Sequence, residues 1–201
     1  VLGVDSPFHR RGQPMSDEAL AGSIDEVAGR GVDACALSPG LGHIPWWRSD
    51  IDGDHYRWWT KHTGREPDAW GRYILDGGDV VKVLVDRCRH HGMAPAVSLR
   101  MNDVHRLEHL GRNTPNSIWV SRFYRDHPEL LLEPDHPQRR PRGYYHWRGQ
   151  DWSKTAVRDR KLAFVREICE RYDIDAFELD FLRDNTLFPR QFPAAERTAI
   201  M

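Results

Sequence analysis

Two short stretches carry the side chains best suited to chemistry. The first is DAFELDFLR at 175–183. Read as a β-strand, its side chains alternate, so Phe177, Leu179 and Phe181 share one face and Glu178, Asp180 and Leu182 share the other. Two carboxylates side by side on a buried strand are costly unless they are hydrogen-bonded or share a proton, and packing alone has no use for them. A site is the better explanation, against the plainer alternative of a pair satisfied by arginines. They lie about 6.6 Å apart along the strand, with Asp180 at its exit and Glu178 deeper. The second stretch is SLRMNDVH at 98–105. There Ser98, Arg100 and Asn102 face together, opposite Leu99 and Met101. Arg100 is expected beside Glu178, holding it ionised and donating to ligand hydroxyls. Asn102, Asp103 and His105 would hang at the strand exit. Asp103 and His105 are metal-ligand types, but no His-x-His occurs and spacing suggests no third ligand, so neither a metal nor a cofactor is expected. A loop histidine bonded to backbone is the plain reading of His105. At the first strand's end, Asp5 is placed to reach the same mouth, with His9 near it, although Asp5 serves equally well as a turn acceptor beside Pro7.

Aromatic residues crowd two segments. Trp46, Trp47, Trp58, Trp59, Trp70 and Tyr56 follow the second strand, and Trp119, Tyr144, Tyr145, Trp147 and Trp152 follow the third. Aromatic faces beside carboxylates and arginines suit sugar rings. Flat rings also stack the bases of single strands, and Arg139, Arg140, Arg142 and Arg148 lie in the second segment. A long loop also needs a small core of its own, which tryptophan supplies. Most of these rings are therefore expected in packing, with Trp46 and Trp47, nearest the strand end, lining a cleft.

The elements that position these residues alternate. Ser16 N-caps a helix carrying Leu20, Ile24, Val27 and Ala28, closed by Gly31, and a strand follows at 32–37. A second helix spans 79–91 with Val80, Val81, Leu84, Val85 and Cys88 inward, followed by a strand at 94–101. A third starts near Ser153 or Thr155 and carries Val157, Leu162, Val165, Ile168, Cys169 and Tyr172, followed by a strand at 174–181. A last helix occupies 192–201. Strands alternating with helices through short αβ turns imply βαβ units and a parallel sheet. The long connections, 38–78, 102–152 and 183 onward, all follow strands, as in a (β/α)8 TIM barrel, where such loops build the active face. The expected fold is therefore α/β: about four βα units forming the front half of a TIM barrel and ending inside the fourth helix. A doubly wound open sheet is the alternative. Its glycine-rich signature fails, because Pro45 stands where the third glycine after Gly40 and Gly42 should be.

Composition narrows the function classes. The chain has 201 residues and a net charge of −1, which speaks against a phosphate-tracking surface and hence against nucleic acid as a partner. No apolar run approaches the roughly 20 residues of a membrane span, and no membrane partner is expected. Cys35, Cys88 and Cys169 are widely separated and read as buried small hydrophobes. The chain begins at Val1 without a leader pattern, so it is expected to be a piece of a longer protein.

The motifs at 175–183 and 98–105 resemble the glycoside-hydrolase-like TIM barrels of bacterial glycosyl hydrolases. That resemblance implies a carbohydrate substrate and a mechanism in which two carboxyl groups flank a glycosidic bond. Carried over, the essential carboxylate at the end of the fourth strand falls on Asp180, with Glu178 as the other candidate. Asp180 would be nucleophile or base, and Arg100, Asn102, Asp5 and Arg183 would orient the sugar. The acid partner would come from a later strand beyond Met201, so the segment alone is expected to be inactive. Three other readings stand beside this one. They are a non-catalytic carbohydrate-binding barrel, a metal-dependent barrel hydrolase using Asp5, His9, His105 and Asp180, and a single-strand nucleic-acid module.

Overall fold

The structure, a computed structural model, describes residues 2–3, 15–133, 148–182 and 186–200. In chain order its elements are β1 (Leu2–Gly3), α1 (Asp17–Asp25), β2 (Ala34–Ser38), α2 (His55–Thr63), α3 (Ala69–Leu75), α4 (Val80–His90), β3 (Ala94–Arg100), α5 (Arg122–Asp126), α6 (Thr155–Arg171), β4 (Ala176–Asp180) and α7 (Ala194–Ile200). Short 3-10 turns at Leu107–His109, Pro115–Trp119 and Pro128–Leu130 punctuate the segment after β3.

Local chemistry starts and stops the connecting helices. The Ser16 hydroxyl accepts the Ala19 N–H at 3.2 Å, and Asp17 and Glu18 favour the positive end of α1. Asp79 does the same for α4, accepting the Lys82 N–H at 2.9 Å. That helix buries Val80, Val81, Leu84, Val85 and Cys88 along one face and ends in Arg87, Arg89 and His90, which suit its negative end. The inward positions of α6 are Val157, Lys161, Phe164 and Ile168. Two residues expected inward point to water instead: Leu162 is 56% exposed, and Cys169 is exposed. The spacing of 4, 3 and 4 from Val157 to Ile168 is a true helical stripe, and it passes through a lysine.

The four strands run parallel in the order β1-β2-β3-β4. Sequential order with right-handed crossovers places every connecting helix on the same face. Leu20 and Ile24 of α1, Val81, Leu84 and Val85 of α4, and Val157, Phe164 and Ile168 of α6 share one apolar cluster with Cys35, Leu37, Val97 and Leu99 of the sheet. On the other face Ala34 and Ala176 are exposed, and Ala36, Ala94 and Ala96 are half-buried.

This architecture corrects the expected half TIM barrel. The described residues form a small open α/β sheet in which β1 pairs only with β2 and β4 only with β3. A barrel requires the sheet to curl and pair both edges, and its interior to be filled by layers of side chains. Here the helix-free face bears exposed or half-buried alanine at the strand starts and buried Ser38, Ser98 and Arg100 at the strand exits, and Leu179 on β4 is 49% exposed.

The connection after β2, read as a loop with its own core, contains α2 and α3. The Trp46 and Trp70 rings stack at 4.2 Å. Trp59 donates to the Ser117 hydroxyl at 3.0 Å, His55 Nε2 donates to the Ile118 carbonyl at 2.8 Å, and His43 Nε2 donates to the Trp119 carbonyl at 3.1 Å. The segments after β2 and β3 are thereby bolted to each other over the strand exits. Gly42 is the tightest point. It has φ +75°, and a β-carbon there would lie 2.0 Å from the Arg100 carbonyl oxygen, so only glycine fits.

Candidate functional site

Register decides which polar side chains meet. Ser98 lies across from Glu178 and Arg100 across from Asp180. Side chains of directly paired residues leave a sheet on the same side. All four therefore lie on the helix-free face at the C-terminal end of the sheet, the end where open α/β sheets take their ligands. The Met101 N–H extends the ladder by donating to the Asp180 carbonyl at 2.8 Å.

Asp180 is half-buried, and its Oδ1 accepts the Leu182 N–H at 2.9 Å. Its Oδ2 has no partner among the described residues. Glu178 is exposed and makes no side-chain hydrogen bond or ion pair among the described residues. The expectation that both acids lie on a buried strand is thus corrected: β4 is an edge strand that leaves Glu178 exposed and Asp180 half-buried. Nor does Arg100 hold Glu178. Its guanidinium donates to Asp103 Oδ2 at 3.0 Å.

Asp103 is the best-held carboxylate of the site. Besides Arg100, the backbone N–H and Nδ1–H of His105 both donate to its Oδ1. Burial alone would push this carboxyl up. The His105 hydrogen bond and the charges of His43 and His105 outweigh it and hold the group down at about 2. Asn102 is buried, and both ends of its amide are used. Nδ2 donates to the Thr186 carbonyl at 2.9 Å, and Oδ1 accepts the Gln150 N–H at 3.2 Å. Asn102 and Asp103 are therefore fixed at the exit of β3, while Arg100, Ser98, Glu178 and Asp180 share one wall of the sheet there.

The tryptophans divide differently from expectation. Trp46 is buried in its stack with Trp70. Trp47 is buried against Phe164, its indole N–H donating to Glu167 at 2.8 Å. Trp47 borders a cleft of about 440 Å³ with Arg48, Asp50 and Asp54, but its ring faces the core. Trp152 is the aromatic beside the strand exit, packed edge-on to Phe181 at 5.1 Å. Asp5, His9 and Arg183 lie outside the described residues. Among the described residues no group of three or more His, Cys, Asp or Glu side chains could hold a metal ion, and no helix is long and apolar enough to cross a membrane.

Behind this wall lies a buried polar layer that sequence reasoning missed. The Lys161 ammonium reaches the Gly42 carbonyl from α6. Burial, then repulsion by Arg160, brings its pKa down to about 7, with Asp103 pulling the other way. His43 is also fully enclosed, and burial holds it neutral with a pKa of about 4. Arg160 pairs with Asp52 at 2.7 Å, and Asp52 also accepts the Ser121 hydroxyl at 3.0 Å. The available signal was Lys161 itself, a lysine in the apolar phase of α6.

No family model and no curated protein matches the chain. Among solved structures it is similar to the galactosidase domain of the α-galactosidase–sucrose kinase AgaSK. The TM-score is 0.48 at 14% identity, over 87% of this chain and 20% of that one. It is also similar to the GH36 α-galactosidase AgaB from Geobacillus stearothermophilus, with TM-score 0.48 and 18% identity over 92% of this chain and 23% of that one. The chain thus spans about a fifth of the length of these glycosidases. The likeness is one of chain path and assigns no residue a role.

Proposed function

We propose that the chain is the sugar-facing part of a glycoside hydrolase, acting on O-glycosidic bonds through a two-carboxylate mechanism with Asp180 as nucleophile or base. The observation that carries this reading is the placement of Asp180. It sits on the helix-free face at the strand exits, paired in register with Arg100, with one carboxylate oxygen uncommitted among the described residues. An ionised carboxylate there stabilises positive charge developing on a sugar ring or attacks its anomeric carbon. The remaining guanidinium N–H groups of Arg100, which is 8% exposed and bonded to Asp103 through one nitrogen, supply donors for ring hydroxyls. Glu178 lies one pleat deeper on the same strand and face and is the second candidate carboxyl group.

The test exploits leaving-group chemistry. Dinitrophenolate departs without protonation, so a dinitrophenyl glycoside tests Asp180 without its acid partner. A panel of α- and β-linked dinitrophenyl galactosides, glucosides, mannosides and xylosides is incubated with the purified chain. The expected result is release above the buffer rate for at least one sugar, abolished by Asp180→Asn, with ordinary nitrophenyl glycosides inert. Equal release by wild type and Asp180→Asn, or no release above buffer, refutes the assignment.

A further inference from the structure

The segment after α5 that returns to the strand exits carries a polar group with no structural use. Gln150 is 1% exposed, and among the described residues neither Nε2 nor Oε1 of its side-chain amide has a hydrogen-bond partner. An enclosed amide that satisfies neither its donors nor its acceptor costs free energy in the empty protein, and such a group is retained where something else completes it. The backbone around it is held on both sides. The Leu132 N–H donates to the Gly149 carbonyl at 3.0 Å, the Asp151 N–H to the Leu130 carbonyl at 2.8 Å, and the Gln150 N–H to Asn102 Oδ1 at 3.2 Å.

The backbone of Gln150 ties it to the proposed site. Its N–H donates to Asn102, which follows Arg100 by two residues, and Arg100 lies across from Asp180. We propose that Gln150 is a specificity-determining residue for the sugar bound beside Asp180. Its amide pairs with a vicinal diol: Nε2 donates to one hydroxyl and Oε1 accepts from its neighbour. A carboxamide matches a diol because each hydroxyl both gives and takes a hydrogen bond. The ligand class is a neutral saccharide with adjacent free hydroxyls. Entry requires the 148–152 segment, held to Leu131 by a single antiparallel bridge, to part from it.

This inference rests on the carbohydrate reading and fails separately from it. The probes are free galactose, glucose, mannose and xylose, titrated into isotope-labelled protein. The Gln150 side-chain NH2 signals are identified by their loss in Gln150→Leu. At least one sugar is expected to shift those signals. Gln150→Leu, which removes the amide at similar volume, should weaken that sugar's binding by roughly tenfold or more without lowering Tm, because a site built to hydrogen-bond a hydroxyl is left without its partner. Should Gln150→Leu not fold, Gln150→Glu keeps shape and acceptor but loses the donor, and it is expected to weaken the same sugar. Binding that survives either folded variant within about twofold, or a sugar that binds without moving the Gln150 signals, overturns the inference alone. A wild-type chain that binds none of the four sugars overturns the carbohydrate reading and this inference with it.

Discussion

Replacing Lys161 by methionine gives the sharpest check on the buried polar layer. The ammonium sits under α6 against the Gly42 carbonyl, and burial followed by Arg160 repulsion lowers its pKa from 10.5 to about 7. The unfolded chain holds this proton up to the ordinary lysine value, whereas the folded chain gives it up near pH 7. Between those values the unfolded state binds more protons, so stability rises with pH. Integrating from pH 7 to 9 gives about 1.7 protons·pH units, or about 2 kcal/mol at 1.36 kcal/mol per unit. Methionine keeps the length and apolar stem but cannot titrate. It also leaves the Gly42 carbonyl without its donor, an offset of about 1–3 kcal/mol that does not vary with pH. Urea unfolding of both proteins at pH 7, 8 and 9 isolates the effect, because every other titrating group cancels in the difference. The wild type should gain about 2 kcal/mol more than Lys161→Met across that range. Parallel stability curves would refute a neutralised buried lysine.

Other perturbations follow from the same geometry. Gly42→Ala forces a β-carbon to 2.0 Å from the Arg100 carbonyl oxygen at φ +75°, and chemical denaturation should show a loss of roughly 3 kcal/mol or more. Asp103, held at about 2 against an ordinary 3.8, contributes stability that is present above the ordinary value and lost as pH falls through about 2. Asp103→Asn should flatten the acid limb of the stability curve and cost about 3 kcal/mol at neutral pH by leaving Arg100 buried and unpaired. On the open edge, Leu179 and Leu182 are 49% and 93% exposed. Leu179→Lys with Leu182→Lys should reduce self-association in sedimentation at unchanged Tm.

Much of the framework was legible in the residues. Ser16 announces α1, the apolar stripe Val80, Val81, Leu84, Val85 and Cys88 announces α4, and the alternation at 175–183 places Glu178 and Asp180 on one face, in keeping with the register. Parallel strands with connecting helices followed from the same patterns. Sheet closure did not, because closure depends on which edges pair, and strand-by-strand patterning is the same for an open sheet and a barrel. The apolar alternation of β4 looked like a strand buried on both sides, yet Leu179 is half in water. Facing direction alone points Arg100 toward Glu178. Its flexible side chain reaches Asp103 instead, three residues on, where His105 already organises the carboxylate. Proximity to a strand end favours Trp46 and Trp47 as cleft residues, but a connection of that length has to bury aromatic surface to hold α2 and α3 in place. Gln150 left no trace in the sequence, since orphaned hydrogen-bonding capacity exists only once the surroundings are known.

The proposed sugar site lies on the helix-free face where β3 and β4 end. Backbone amide shifts mapped during titration with the monosaccharide that binds best test this placement. The largest changes are expected at Ser98, Arg100, Asp180 and Leu182, with little change along α1 and α4. Changes concentrated on the helix-covered side, or at the cleft bordered by Trp47 and Arg48, would contradict it.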